Sequence, residues 1–206
     1  MAFAWELVVQ AWGGDAALTG LVEVWGFVPA EAVAAVQNGE ILSEPVLDAF
    51  TAIFLHAGWL HLLGNLLFLW IFGPNVEDAI GRPAYLALFL VGGVAAAVGH
   101  TLSDPTSTLA MVGASGAISA VLGAYLVLFP GARIQSLVFL GFFYQLVAVP
   151  SVIVLGFWFV LQLIDGLATL GASTDAVGGV AFWAHIGGFA AGALFALPFR
   201  VRRLRA

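Results

Sequence analysis

The sequence predicts an all-α membrane protein, a six-helix transmembrane bundle whose first helix is short. Three observations carry this prediction. Of the 206 residues, 62% are hydrophobic and only 9% charged, against roughly 25% charged in a soluble domain, so the chain cannot cover itself with a polar surface. Apolar runs close to the length of a membrane span, about 20 residues, recur along it. Counting those runs as helices also sorts every basic residue to one side of the bilayer.

Taken in order, residues 1–12 are apolar on balance but too short to span alone, and read as the outer half of a first helix whose beginning is missing. The N-terminus, Met1-Ala2-Phe3-Ala4-Trp5-Glu6, lacks a positive n-region and a clear cleavage site, so it does not read as a signal peptide. Residues 13–49 form a long polar stretch holding Asp15, Glu23, Glu31, Glu40, Glu44 and Asp48, with apolar patches such as Val22, Val24, Trp25 and Phe27. This stretch is expected to be an outer loop lying on the membrane surface. Five apolar segments follow, at 50–72, 84–103, 112–129, 148–170 and 181–199, and make helices two to six. Residues 131–147 are apolar but punctuated by Gly131 and Gly141, with Pro150 just beyond, and read as an interfacial stretch rather than a span. The tail 200–206 is basic. The whole chain, 1–206, reads as one transmembrane domain.

Arginine supplies all six basic charges, and lysine is absent. Arg82 falls between the second and third helices, Arg133 between the fourth and fifth, and Arg200, Arg202, Arg203 and Arg205 after the last. With six alternating helices all lie on one side, which the positive-inside bias makes cytoplasmic. The loops at 13–49, 104–111 and 171–180 contain no arginine. The C-terminus is therefore expected in the cytoplasm. Nothing basic points to nucleic acid. Without cysteine, disulfides, thiolate chemistry and cysteine-ligated metals are excluded.

Polar residues inside spans are costly and suggest function by default. Ser115 lies in Gly113-Ala114-Ser115-Gly116, near the outer end of the fourth helix, and His185 near the outer end of the sixth. Serine with histidine is the minimum pair for nucleophilic acyl transfer. Taken alone, the small residues around Ser115 read first as a helix-packing run. Gly188 and Gly192 follow His185 on a small-xxx-small face that would let the sixth helix press on the fourth. His61 and Asn65 share one face of the second helix. They could bond each other or a nearby carbonyl, or serve as donors to an oxyanion. His56 lies about 140° around from His61 on that helix and is expected to be structural. No His-Glu-x-x-His occurs, and no metal site is expected. Asp165 stands as the only acid well inside a segment and has no obvious mate. His100 and Asp104, four apart, read as an ion pair or loop anchor.

Together these motifs resemble the rhomboid intramembrane serine proteases. The likeness runs through Phe54-Leu55-His56-Ala57-Gly58-Trp59-Leu60-His61-Leu62-Leu63-Gly64-Asn65, then Gly73-Pro74-Asn75-Val76-Glu77-Asp78 and Gly81-Arg82. It continues at Gly113-Ala114-Ser115-Gly116 and closes with Ala184-His185, Gly188 and Gly192, covering about 50–199. The resemblance implies a six-helix rhomboid-like bundle in which Ser115 is the nucleophile and His185 the general base of a dyad without an acidic third member. It implies that Asn65, His61 and the backbone N–H of Ser115 stabilise the oxyanion. Gly188 and Gly192 would pack the sixth helix on the fourth, beside Gly113 and Gly116, and Glu77 would anchor the cytoplasmic end of the second helix. The implied substrates are single-span membrane proteins cut in or near the span, with no cofactor, in a prokaryotic plasma (inner) membrane. The chain lacks the Trp-Arg pair often found in the first outer loop of that family. Two rivals are a catalytically inactive relative that binds membrane clients, against which the retained polar set argues, and a small transporter, which would need a polar track across the whole bilayer.

Overall fold

A computed structural model describes residues 2–140, 143–169 and 181–205. Its helices are α1 (Ala2–Trp25), α2 (Pro29–Gln37), α3 (Glu44–Thr51), α4 (Trp59–Ile80), α5 (Arg82–Ser103), α6 (Ser115–Leu128), α7 (Ser151–Thr169) and α8 (Phe182–Arg205). A 3-10 turn, Ala52–Phe54, follows α3, and strands β1 (Arg133–Leu140) and β2 (Phe143–Pro150) lie between α6 and α7. Among the described residues, four segments are long and apolar enough to cross a membrane: Trp59–Ile80, Arg82–Ser103, Ser151–Thr169 and Phe182–Arg200. The fold is a helical membrane bundle, as the composition requires.

Several boundaries differ from those expected, each for a local reason. The first helix does not stop at residue 12. Helical geometry resumes after a break at Gly14, where φ is 69°, and runs to Trp25. The stretch 13–49 is thus largely helical, containing the end of α1, α2 and nearly all of α3, rather than a loop. The second spanning helix begins at Trp59 instead of 50, because residue 50 belongs to α3, the chain turns extended at Leu55, and Gly58, with a φ of 153°, caps the start of the new helix. It continues past residue 72 through Pro74 to Ile80. The fourth is shorter than the 112–129 run, and the fifth starts at Ser151 because the preceding residues are a strand. The stretch at 131–147 is, as expected, no span. It belongs to an antiparallel hairpin pairing Arg133 with Pro150 and Leu140 with Phe143, rich in the β-branched and aromatic residues that suit strands. The expected outer loop 171–180 lies outside the described residues.

α6 is the centre of the bundle. Eleven of its residues are buried, from Gly116 to Leu128, and they pack with Phe72, Val76, Leu88, Leu155, Phe189 and Ala196 in the main core. With 14 residues it is about 21 Å long, short of a hydrocarbon core of about 30 Å. Its partners supply the outward-facing surface: Leu60, Leu63 and Trp70 of α4 and Val152, Phe157 and Leu167 of α7 are all exposed. Ser151 ties the start of α7 to the end of α6, its Oγ donating to the Phe129 carbonyl at 2.6 Å and its N–H to that of Ala132 at 2.7 Å. Alternation of α4 to α8 therefore brings Arg82, Arg133 and the end of α8 to one end of the bundle.

α6 and α8 approach until backbone meets backbone. A Cβ at Gly188 would strike the Gly116 carbonyl, one at Gly192 the Ala120 carbonyl, and one at Gly123 the Phe189 carbonyl. Without a hydrophobic drive between helices in lipid, such close packing is a principal source of association. Gly192→Ala should therefore lower the thermal stability of the detergent-solubilised protein by about 1–3 kcal/mol through overpacking. Gly64→Ala, whose Cβ would meet nothing within 4 Å, should be neutral or stabilising; equal melting temperatures for the two variants would contradict the packing described.

Candidate active site

Ser115 opens α6. The chain reaches it through Gly113, whose φ of 118° favours glycine, and whose N–H donates to the Ala52 carbonyl at 2.8 Å. Phe27 and Met111 exchange backbone bonds at 3.0 and 2.8 Å, and the Ala30 N–H reaches the Ser107 carbonyl at 3.0 Å. The segment expected to be a surface loop thus pins the 104–114 connection. The first N–H groups of α6 have no helical partners of their own, because the first helical bond is donated by Ile118 to Ala114.

His185 sits in the first turn of α8, one turn before Gly188. Its Nε2 lies 2.8 Å from Ser115 Oγ, so the structure brings together the two residues that the sequence singled out. The glycine contacts explain why: Gly188 meets Gly116 and Gly192 meets Ala120, which fixes the register of α8 on α6. Ser119, buried one turn along, donates to the Ser115 carbonyl at 2.7 Å.

His61 and Asn65 converge on the same place from α4. A Cβ on Gly113 would lie 2.6 Å from His61 Nε2 and 3.7 Å from Asn65 Nδ2. Glycine is required there for space as well as for conformation. The Ala57 N–H donates a long 3.4 Å bond to His61 Nδ1, which leaves the proton on Nε2, the nitrogen nearer Gly113. Asn65 is buried, and its Nδ2 has no hydrogen-bond partner among the described residues. A cavity of about 1340 Å³ is lined by His61, Gly113, Ser115 and His185 and reaches the exposed Glu23 and Glu31.

The other polar residues that stood out in the sequence have no hydrogen bond to Ser115 or His185. His56 is buried in the connection before α4, its N–H donating to both carboxylate oxygens of Glu6 at 3.1 and 3.2 Å. Glu6 is only 2% exposed, so it, and not the exposed Asp165, is the buried acid of the chain's described part. Asp104 accepts from the Thr106 N–H and hydroxyl at 3.1 and 2.8 Å, a loop anchor rather than an ion pair with His100. Glu77 accepts from Arg82 Nε at 3.2 Å on the surface, where such pairs contribute little. No cluster of metal-ligating side chains occurs among the described residues.

One contact was not anticipated. Gln162, inside the apolar run of α7, places its Oε1 2.7 Å from His185 Nδ1. Trp158, one turn earlier, sets its ring 6.0 Å from the imidazole. The available signal was a lone amide in a span-length apolar run.

The family model described as Rhomboid domain matches residues 43–202. The chain belongs to the rhomboid family. Among similar proteins, Rhomboid-like protein 11, chloroplastic, of Arabidopsis thaliana is 44% identical over 68 residues, 33% of this chain and 24% of that protein. RHOMBOID-like protein 5 of the same plant is 36% identical over 76 residues, 37% of this chain and 25% of its own length. Rhomboid protease GluP of Bacillus subtilis (strain 168) is 38% identical over 76 residues, 37% of this chain and 14% of its own. This rhomboid chain spans well under two thirds of the length of each. Family membership and its apolar helices make it an integral membrane protein.

Burial holds the His56 imidazole below its ordinary range; nearby His61 adds to the effect and the Phe54 backbone opposes it. The folded state thus binds fewer protons than the unfolded chain, whose histidine titrates near about 6.5. The stability His56 contributes is complete above that value and is lost as the pH falls through the folded pKa below it. The melting temperature should fall on acidification below about pH 6.5, and His56→Phe should flatten that fall; an unchanged slope would count against the assignment.

Proposed function

We propose that this rhomboid protein is an intramembrane serine endopeptidase cutting single-span membrane proteins in or near their spans. The observation that carries the reading is the 2.8 Å contact between Ser115 Oγ and His185 Nε2 on the wall of a cavity set inside the bundle. Ser115 Oγ attacks the scissile carbonyl carbon while His185 Nε2 takes its proton. The negative charge that develops on the carbonyl oxygen faces donors already in place: the Ser115 N–H at the start of α6, His61 Nε2–H and Asn65 Nδ2. The tetrahedral intermediate collapses, the carbon–nitrogen bond breaks, and His185 returns the proton to the leaving amine. Water, deprotonated by the same nitrogen, then releases the acyl group from Ser115. No cofactor or metal takes part.

The unpartnered Asn65 amide supports the oxyanion role, because a buried donor left unpaired costs about 1–3 kcal/mol and needs a reason to persist. The arginine-bearing end would face the cytoplasm of a prokaryotic cell, with the cavity opening outward. A polar track across the whole bilayer, which transport would need, is not what the site resembles: the polar set gathers at one end of α4, α6 and α8.

Reconstituted with a model single-span substrate, Ser115→Ala and His185→Ala should each abolish cleavage. Asn65→Ala should lower kcat by about 100- to 1,000-fold, as removal of one oxyanion donor does in soluble serine proteases. Cleavage by Ser115→Ala at the wild-type rate would sink the assignment.

A further inference from the structure

α7 presents a single stripe to α8. Trp158, Gln162 and Gly166 recur at four-residue spacing and so share one helix face. The Trp158 ring lies 5.9 Å from that of Phe189, and the Gly166 carbonyl accepts from Trp183 Nε1 at 3.0 Å. Gln162 is the middle of the stripe, and it meets the one functional side chain on that part of α8. Elsewhere α7 turns Ile153, Phe157, Val160, Leu161, Ile164 and Leu167 outward. An amide within such a helix is costly unless its polar atoms are bonded, and the structure bonds its oxygen to His185 Nδ1 at 2.7 Å.

We propose that Gln162 is the positioning residue that fixes the tautomer and orientation of His185. The proposal rests on the reading of Ser115 and His185 as nucleophile and base. An amide oxygen can only accept, so a bond at this distance requires the proton on Nδ1. In the neutral ring Nε2 is then bare, with its lone pair directed at the Ser115 hydroxyl. That is the tautomer able to take the serine proton; the other would offer Ser115 an N–H and no base. When Nε2 accepts that proton, the ring becomes a cation and the Nδ1–H···O bond becomes charge-assisted and stronger. Gln162 thereby favours the state formed during attack over the resting one, using a neutral amide where a carboxylate would have to be carried into the bundle. Trp158, tilted 36° to the imidazole, closes one side of the ring.

The test uses the full chain in detergent micelles with ¹⁵N-labelled histidine, compared as wild type, Gln162→Leu, Gln162→Met and Gln162→Glu. Ring ¹⁵N shifts report which nitrogen of His185 carries the proton, and the rate of fluorophosphonate labelling at Ser115 reports activation of the nucleophile. Wild type should show a protonated Nδ1 and a bare Nε2. Gln162→Leu and the volume-matched Gln162→Met should lose that single tautomer and label about 10-fold more slowly or worse, part of the roughly 100- to 10,000-fold that general-base assistance supplies. Gln162→Glu, which keeps an acceptor, should retain both properties within a few-fold. A bare Nδ1 in wild type, or Gln162→Met with an unaltered tautomer and labelling rate, would overturn the proposal. Equal labelling of wild type and His185→Ala would instead refute the dyad, and the ¹⁵N spectra would still decide whether Gln162 sets the ring.

Discussion

The contact on which the molecule depends is the approach of two backbones, α6 against α8. Gly116 and Gly123 on one helix, Gly188 and Gly192 on the other, bring carbonyls where side chains would ordinarily stand. A seam of this kind tolerates no slippage, because a shift of one residue would set a Cβ against a carbonyl oxygen. Ser115 begins one helix and His185 lies in the first turn of the other, so the register of the seam is also the geometry of the pair. The Ser115–His185 distance thus follows first from packing, with Gln162 of α7 adding a second hold on the imidazole.

The second constraint is the shortness of α6. A helix of 14 residues cannot cross the bilayer, so placed in one it leaves part of the crossing to non-helical chain, which must descend to it. That descent needs partners for its backbone, since unbonded N–H and C=O groups are costly in an apolar setting. The α1–α2 region provides them through Phe27 and Ala30, and the 3-10 turn after α3 through Ala52. α4 then contributes His61 and Asn65 from the side, admitted close to the chain by the missing side chain of Gly113.

Much of this was legible in the sequence, and the reasons are physical. Helices α4 to α8 announce themselves because a span needs an uninterrupted apolar run, and Ser115, His185, His61 and Asn65 stand out because polarity there is expensive. The spacing of Gly188 and Gly192 disclosed the contacting face. The region 13–49 was misread because its apolar residues come in short patches between acids, and because Gly13-Gly14 looks like an end when it is only a break in α1. The hairpin was hidden because a buried or interfacial strand and a short apolar helix have the same composition. Gln162 carried a signal of type but none of partner, for nothing in a linear sequence joins it to a residue 23 positions away.

The short central helix has an electrical consequence. A membrane potential falls across the dry part of the barrier, and moving one charge through all of it is worth about 2.3 kcal/mol per 100 mV. Where the cavity beside Ser115 admits water, the solution on that side extends to the start of α6, and the voltage falls across what remains. A proton passing the 2.8 Å between Ser115 and His185 moves at the edge of that field rather than through it. On the proposed reading, the chemistry is thereby insulated from the energetic state of the membrane that houses it.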